Sequence, residues 1–226
     1  MKISLKKIRY YVLTYKNETR KQHVLERLKD YDVSCIESVD DIHRDKSGAL
    51  GHSKLLDTAI QHMTPNRFEP FVILEDDIER NGEFPNELEI PDDTDILYIG
   101  ISLCGMNDKS YCLQVYYSAI NQDLVRVYNM LSSHGYIICS IRGLLRIQKC
   151  LFEGYYEDKQ WDISMAYMQP YYNAYALRRP LVFQKKEMGG YENLTKIEFK
   201  DKKEYETLPI RWKIHENVSI RSNCGE

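Results

Sequence analysis

Short apolar segments alternate with amphipathic helical segments through the first hundred residues of the chain. The apolar segments are rich in β-branched and aromatic residues, which favour strands, whereas the others repeat apolar residues at helical spacing. Strands are predicted at 8–13, 33–39, 71–74 and 96–103, and helices at 18–31 and 53–63. Because strands that alternate with helices form a parallel sheet covered on both faces, we predict an α/β fold with a mostly parallel central sheet flanked by helices.

The second half of the chain is less regular. Strand-like runs occupy 111–120, 136–139 and 181–183, and helical segments occupy 141–152 and 161–168. The stretch 185–206 is polar and rich in charge, and we predict a mobile surface segment or lid there. Since the chain has 226 residues and no internal repeat, we expect one domain.

Charge and composition argue against several classes of partner. The 31 Lys and Arg residues nearly balance 34 Asp and Glu residues, so the net charge of −3 gives no reason to expect a nucleic-acid partner. No segment reaches the roughly 18 apolar residues of a membrane span, and no secretory signal is recognisable. The six cysteines show no C-x-x-C spacing, and we expect reduced thiols in a cytoplasmic protein.

Three consecutive acids follow the apolar run 71–74. In a strand, Glu75 and Asp77 would project to one side and Asp76 to the other. Adjacent carboxylates at the end of a buried strand repel one another, and a divalent cation would relieve that repulsion. Oxygen ligands favour Mg²⁺ or Mn²⁺ over Zn²⁺. A solvated turn with an acid capping the next helix is the alternative, although ligands of open α/β sheets bind at such strand ends.

A second acidic pattern, Asp93-Thr94-Asp95, spells D-x-D but precedes a predicted strand. It would lie at the opposite edge of the sheet, where we interpret it as turn chemistry. The chain contains no G-x-G-x-x-G after a strand and no G-x-x-x-x-G-K-[ST] motif. These absences argue against dinucleotide oxidoreductases and P-loop enzymes.

Several blocks of the sequence, taken in order, resemble glycosyltransferase family 25. The blocks are the strand and basic helix at 11–20, Leu50-Gly51-His52-Ser53-Lys54-Leu55-Leu56, Phe71 to Asp77, Asp95-Ile96-Leu97-Tyr98-Ile99-Gly100, Ser133-His134-Gly135-Tyr136-Ile137-Ile138 and Trp161-Asp162. That family includes bacterial lipooligosaccharide galactosyltransferases and relatives of collagen galactosyltransferases. Small sugar transferases of large DNA viruses share similar features. For a viral protein, the expected cytoplasmic location would be the cytoplasm of the host cell.

The resemblance implies a GT-A fold, which is a single Rossmann-like domain spanning residues 1–226. Its nucleotide-binding half would be 1–103 and its acceptor-side half 104–184, followed by the mobile segment and tail at 185–226. It implies transfer of a hexose from a nucleoside-diphosphate sugar, with UDP as the nucleotide, to a saccharide or glycoprotein-glycan hydroxyl. The expected cofactor is Mn²⁺ or Mg²⁺, and the expected stereochemistry is inversion.

The resemblance also implies roles for individual residues. Glu75, Asp76 and Asp77 would hold the metal, with Asp77 as the direct ligand and His215 as a candidate third ligand. Donor contacts are expected from the following side chains: Thr14, Tyr15, Arg20 and Lys54.

Inversion requires a carboxylate that deprotonates the acceptor hydroxyl, and Asp162 is the candidate base. Its alternative role is N-cap of the helix that follows, and Asp158 and Glu157 are weaker candidates for the base. His134 and Trp161 are expected to line the acceptor site, although a buried structural histidine and a core tryptophan remain open readings.

Two other functions stay open at this point. A catalytically silent nucleotide-sugar or carbohydrate-binding module could share the fold, but it would have little reason to keep three costly adjacent acids. A nucleotidyltransferase could share the metal and the sheet. That class carries a glycine-rich and basic loop after the first strand, and this sequence lacks one.

Overall fold

A computed structural model describes residues 1–41, 43–65, 67–106, 115–157, 160–188 and 199. The strands are β1 (Lys2–Ser4), β2 (Arg9–Thr14), β3 (Asp32–Glu37), β4 (Phe71–Glu75), β5 (Ile78–Arg80), β6 (Glu87–Glu89), β7 (Ile96–Tyr98), β8 (Tyr117–Ala119), β9 (Leu124–Val127), β10 (Gly135–Ile138), β11 (Ala174–Leu177) and β12 (Val182–Gln184). The helices are α1 (Glu18–Arg27), α2 (Arg44–Gln61), α3 (Ile141–Tyr156) and α4 (Trp161–Met168), with short 3₁₀ turns at Gln169–Tyr171 and Lys186–Met188.

Eight of these strands form the central sheet, in the order β3-β2-β4-β10-β7-β11-β9-β8. The pairs β2–β3, β2–β4 and β7–β11 are parallel, and the other four neighbouring pairs are antiparallel. Strands β10 and β9 therefore run against the other six. Strands from both predicted halves of the chain share this one sheet.

Both faces of the sheet are covered, which explains why its strands read as unbroken apolar runs rather than alternating ones. In β2, Tyr11 and Leu13 face a core shared with α2, α3 and α4, whereas Tyr10 and Val12 face a second core shared with α1. Strands β4, β7 and β10 divide their side chains between the two cores in the same way. The helices on the two faces confirm the α/β class.

Two small antiparallel ladders extend the α1 side of the molecule. Strand β1 pairs with β6, and β12 pairs with β5. The β5–β12 ladder matters for the site, because β5 begins directly after the acidic trio and β12 starts at Val182, which bridges to Gly100 at the end of β7. The segment that returns from β11 is thereby fixed beside the acids.

The central sheet is mixed: six of its eight strands run in one direction, in keeping with the prediction of a mostly parallel sheet, but four of its seven neighbouring pairs are antiparallel. Strand β10 enters the sheet between β4 and β7 in the reverse direction, an insertion that local periodicity does not reveal. Helix α2 begins at Arg44, nine residues before the predicted Ser53. Gly51, which precedes the predicted helix, is inside the observed one, where the position of its absent Cβ is only 3.0 Å from Leu13.

Cys104 is in a disulfide, so the prediction that all six cysteines are reduced is wrong at this position. Cys35, Cys139 and Cys150 are free thiols, as predicted. Within the described residues, no helix combines the length and apolarity needed to cross a bilayer.

Candidate functional site

Strands β2, β4 and β7 end, and β10 begins, along one edge of the central sheet, which we call the carboxyl edge. The register brings Leu13 of β2 beside Glu75 of β4, and Gly135 of β10 beside Leu74. Residues that follow β2, β4 and β7 and precede β10 are consequently neighbours in space. The acidic trio lies here, as the sequence predicted.

Glu75 is the last residue of β4 and points toward α2, where its Oε1 lies 3.6 Å from Nε2 of His52. The His52 side chain is completely buried and that of Glu75 is 12% exposed. Burial raises the pKa of Glu75, but its interactions with His52 and Ser133 outweigh burial and lower the pKa of the carboxyl. A buried carboxylate is therefore held in its charged form at the carboxyl edge.

Aromatic rings enclose the Glu75–His52 pair. The centroid of the Trp161 ring lies 4.3 Å from that of His52, and the Tyr136 hydroxyl lies 3.4 Å from Nδ1 of the same histidine. The Trp161 indole and the Tyr15 hydroxyl both lie beside Gly48, 3.8 and 4.0 Å from the position that a Cβ would take there. These residues bring α2, α4, β10 and the β2–α1 loop together around the acid.

Asp76 points to the opposite face of the sheet, toward α1. Its side chain is fully buried, with Oδ2 accepting the Tyr15 amide at 2.8 Å and Oδ1 lying 3.2 Å from the Arg20 guanidinium. Burial raises the pKa of Asp76, and the Tyr15 amide and Arg20 oppose that shift. Glu75 and Asp76 face opposite sides, as predicted, but the strand ends at Glu75, so the alternation does not extend to Asp77. Both Asp76 oxygens already have partners.

Asp77 lies in the turn between β4 and β5 and is 7% exposed. Its Oδ2 accepts a 3.2 Å hydrogen bond from Nε2 of Gln184, and its Oδ1 is buried without a hydrogen-bond partner among the described residues. Burial raises the pKa of Asp77 to about 7, the charges of Glu75 and Asp76 add to the rise, and Arg20 counters it. An unpaired, buried carboxylate oxygen beside another acid is costly unless a positive group joins it.

His134 precedes β10 and packs against the end of β7. A Cβ on Gly100 would lie 2.4 Å from Nε2 of His134, so only glycine fits at that position. The Nδ1 atom lies 3.4 Å from the Ser132 hydroxyl, whereas Nε2 has no hydrogen-bond partner among the described residues. Burial lowers the pKa of His134 to about 4, so the imidazole is neutral near pH 7.

The predicted donor contacts divide into two groups. Tyr15 and Arg20 lie beside the acids through Asp76. The Thr14 side chain is 3% exposed and donates to the Ile36 carbonyl, and the exposed Lys54 ammonium donates to the Glu37 carbonyl at the end of β3. The latter two side chains are therefore engaged with neighbouring backbone.

Asp162 lies in the first turn of α4 and is half-buried. The helix begins at Trp161 with Gln160 as its N-cap residue, so the proposed N-cap role of Asp162 is wrong. An acid in the first turn still interacts favourably with the helix dipole. Its neighbour Trp161 contacts His52, which links this turn to the acidic residues of the carboxyl edge.

The residues present suit a hard divalent cation held by two carboxylates. Asp77 offers a buried oxygen without a partner, and Glu75 offers a charged carboxylate whose presence shifts the pKa of Asp77. Among the described residues no group of three or more His, Cys, Asp or Glu side chains is arranged to hold a metal. Mg²⁺ and Mn²⁺ commonly complete their coordination with water and substrate phosphates. Asp158 and His215 lie outside the described residues.

The Asp93-Thr94-Asp95 pattern has the structural role predicted for it. Asp95 is 1% exposed and accepts hydrogen bonds from Ser140, Arg142 and the Asn173 amide at the edge opposite the acidic trio. A cavity of about 380 Å³ also lies at that opposite edge, beside Arg9, Tyr11 and Phe71. Because none of the predicted site residues lines this cavity, we place the candidate site at the carboxyl edge on chemical grounds.

Sequence reasoning did not assign a role to three residues of the site. His52, Tyr136 and Gln184 contact the acids or their partners. His52 and Tyr136 belong to blocks that carry the family resemblance, which was the available signal for them. Nothing in the sequence around Gln184 indicated that β12 would return to Asp77.

The fold and site together define an α/β protein with a buried acidic cluster at the carboxyl edge of a mixed sheet. Comparison of the chain with protein-family models finds no match, and comparison with curated proteins finds none either. The functional argument therefore depends on the site itself.

Proposed function

We propose that this protein is a metal-dependent glycosyltransferase. It moves a hexose from a nucleoside-diphosphate sugar, with UDP as the nucleotide, to a hydroxyl of a saccharide or glycan. The observation that carries the proposal is Asp77, whose buried Oδ1 lacks a partner beside the charged carboxylate of Glu75. Two neighbouring carboxylates that are largely shielded from water favour the binding of a cation between them.

Asp77 and Glu75 would hold Mn²⁺ or Mg²⁺ through carboxylate oxygens. When bound, the cation would stabilise the negative charge that develops on the departing nucleoside diphosphate. Asp76 is not included among these ligands, because its oxygens are bonded to Arg20 and the Tyr15 amide.

The protein's own side chains would orient the donor. Arg20 carries positive charge next to the acids, and its contact with Asp76 fixes the guanidinium at the carboxyl edge. Tyr15 follows β2 and is partly buried near Trp161, where an aromatic ring can stack on a base or ribose. We keep Thr14 and Lys54 as weaker candidates, since both bond to backbone carbonyls.

Asp162 would accept the proton of the acceptor hydroxyl, as a single inverting displacement requires. Support comes from its place in the first turn of α4, directly after Trp161, which packs on His52 beside Glu75. Trp161 and His134 would border the acceptor. The neutral imidazole of His134 can donate or accept a hydrogen bond without adding charge to the site.

The test is a panel of nucleotide sugars incubated with Mn²⁺, with release of the nucleoside diphosphate as the readout. We expect one donor to be hydrolysed, chelator to stop the reaction, and Asp77→Asn to abolish it. Asp57→Asn is the matched control, because Asp57 is an exposed acid on α2. Metal-dependent binding without turnover of any donor, with or without saccharide acceptors, would instead indicate the silent binding module. Absence of nucleotide binding would refute both the transferase and a module that binds nucleotide sugars.

The partners of the proposed reaction are a nucleotide-sugar donor and a saccharide acceptor. We propose a cytoplasmic location, where nucleotide sugars are made and where a transferase of this class would meet them. The disulfide of Cys104 removes one of the observations that favoured this compartment. Fractionation of expressing cells tests the location independently of activity.

A further inference from the structure

Four large apolar side chains form a line along the outer surface of α3, and we call this line the α3 stripe. It consists of Ile141, Leu145, Phe152 and Tyr156, which are 58%, 58%, 62% and 67% exposed. At about 100° per residue, the four side chains fall within roughly 60° of the helix circumference and extend over about 22 Å of its length. The stripe therefore lies on one narrow face of the helix, as two pairs of apolar side chains with about 10 Å between Leu145 and Phe152.

The α3 stripe is separate from the face that joins α3 to the protein core. Leu144, Ile147, Cys150 and Leu151 are buried on the other side of the helix. Phe152 and Tyr156 contact each other with ring centroids 4.3 Å apart, yet both remain more than half exposed. A helix with one buried and one exposed apolar face is typical of a helix that packs against a second partner.

The spacing of the α3 stripe is symmetric about the middle of the helix, between Gln148 and Lys149. Ile141 and Tyr156 are equally distant from that point, and so are Leu145 and Phe152. If a second copy of α3 packs antiparallel across a two-fold axis at this point, Leu145 meets Phe152 of the other copy and Ile141 meets Tyr156. Such self-complementarity is what an isologous dimer interface requires.

Charged residues on one flank of the stripe have a similar reversed order, centred one residue further along the helix, between Lys149 and Cys150. Arg142 and Arg146 lie on this flank in the amino-terminal half of α3, Glu153 lies on it in the carboxyl-terminal half, and Glu157 is the C-cap residue that follows. A two-fold axis brings this flank against its own copy in the reverse direction, so Arg146 would face Glu153 of the other copy. Lys149, near the axis, is already 3.6 Å from Glu153 of its own helix.

We propose that α3 is a homodimerisation surface, on which the α3 stripes of two copies pack antiparallel. The order of charges favours a second copy over a lipid surface, because Glu153 and Glu157 would repel anionic lipid, whereas Glu153 would lie near Arg146 of a reversed helix. Arg142 is already bonded to Asp95 of its own chain and is not part of this contact. The stripe is small compared with the roughly 800 Å² per partner of a typical stable interface. The dimer is accordingly reversible and depends on protein concentration.

Sedimentation equilibrium of the full chain from about 1 to about 200 µM tests the dimer directly. We expect a monomer–dimer equilibrium within this range, and at least a tenfold weaker association for Leu145→Ser or Phe152→Ser. Leu25→Ser is the control, because Leu25 is an exposed apolar residue on a different helix, α1, at 37% exposure. Circular dichroism melts show whether each variant remains folded.

A charge exchange tests the antiparallel arrangement. Arg146→Glu and Glu153→Arg should each weaken self-association, because each places like charges across the axis. An equimolar mixture of the two variants should dimerise again, since the mixed pair restores both contacts between helices.

Three results would overturn the proposal. The first is a monomer over the whole concentration range. The second is a dimer whose dissociation constant is unchanged by the stripe substitutions, and the third is an equimolar mixture of the two charge variants that does not dimerise. Binding of a monomeric protein to vesicles that contain anionic lipid would assign the stripe to a membrane surface instead.

Discussion

Gln184 donates a 3.2 Å hydrogen bond to one oxygen of Asp77 and leaves the other oxygen buried without a partner among the described residues. The bond joins β12 to the turn after β4, and the Lys185 amide adds a 2.7 Å bond to the Asp77 carbonyl. The backbone and one carboxylate oxygen are thus held in place, and the second oxygen has no hydrogen-bond partner among the described residues. Preorganisation of this kind lowers the cost of binding a cation.

Asp77→Asn should stabilise the metal-free protein at alkaline pH. The pKa of Asp77 is raised to about 7, above the value of about 3.9 expected in the unfolded chain. As pH rises, the unfolded state therefore loses this proton before the folded state does. The free energy of unfolding falls between about pH 4 and about pH 7 as a result, by at most about 4 kcal/mol. Asparagine removes that cost because it does not ionise.

Thermal melts in chelator at pH 4, 6 and 8 provide the measurement. The advantage of Asp77→Asn over the wild type should be small at pH 4 and largest at pH 8, whereas Asp57→Asn should track the wild type throughout. Addition of Mn²⁺ at pH 8 should raise the melting temperature of the wild type and leave that of Asp77→Asn unchanged. A pH-independent difference would show that Asp77 is ionised normally.

Arg20→Ala should destabilise the fold, because it leaves the fully buried Asp76 carboxylate with only the Tyr15 amide as partner. Loss of one member of a buried ion pair costs about 3 kcal/mol. Arg67→Ala is the matched control, since Arg67 and Glu69 are both largely exposed and such pairs contribute less than about 1 kcal/mol. Urea unfolding of the two variants measures the difference. Equal midpoints would mean that Asp76 is protonated in the native state.

Gly100→Ala should destabilise the protein and displace His134, because the new methyl group would lie 2.4 Å from Nε2 of that histidine. Overpacking of this kind costs about 1 to 3 kcal/mol. Gly48→Ala on α2 is the control, with nothing closer than 3.8 Å to its Cβ position, and it should gain up to about 1 kcal/mol from helix propensity. Chemical denaturation quantifies both, and an unperturbed Gly100→Ala would contradict the packing of His134.

Asp162→Asn should lower kcat for sugar transfer by a hundredfold or more, the loss typical of a removed general base, and leave donor affinity unchanged. Initial rates at saturating donor, together with calorimetric donor binding, separate these effects. Glu157→Gln is the comparison, because Glu157 was the alternative acid and follows α3. Transfer that depends on Glu157 and not on Asp162 would reassign the base.

The sequence predicted the strands of the parallel part of the sheet, because β2 and β4 are buried on both faces and read as continuous apolar runs. The prediction for α4 matched its observed bounds, since Trp161–Met168 is a compact apolar segment after a polar loop. The position of the acidic trio followed from the same reasoning, because a trio after a parallel strand lies at the carboxyl edge.

Other features depend on contacts between distant parts of the chain. Strand β11 is short and its residues show no distinct period, yet its pairing with β7 and β9 makes it a buried member of the sheet. The different partners of Asp76 and Asp77 could not be predicted from the local sequence either. They arise from Arg20 on α1 and Gln184 on β12, which lie 56 and 107 residues from them along the chain.

The most direct measurement of the central claim is an anomalous difference map from crystals of the protein grown with Mn²⁺ and UDP. The account predicts one strong manganese peak within coordination distance of Asp77 Oδ1 and a Glu75 oxygen, with the diphosphate on the same ion. A manganese peak at another site, or UDP bound at the carboxyl edge with no ion beside Asp77, would contradict it.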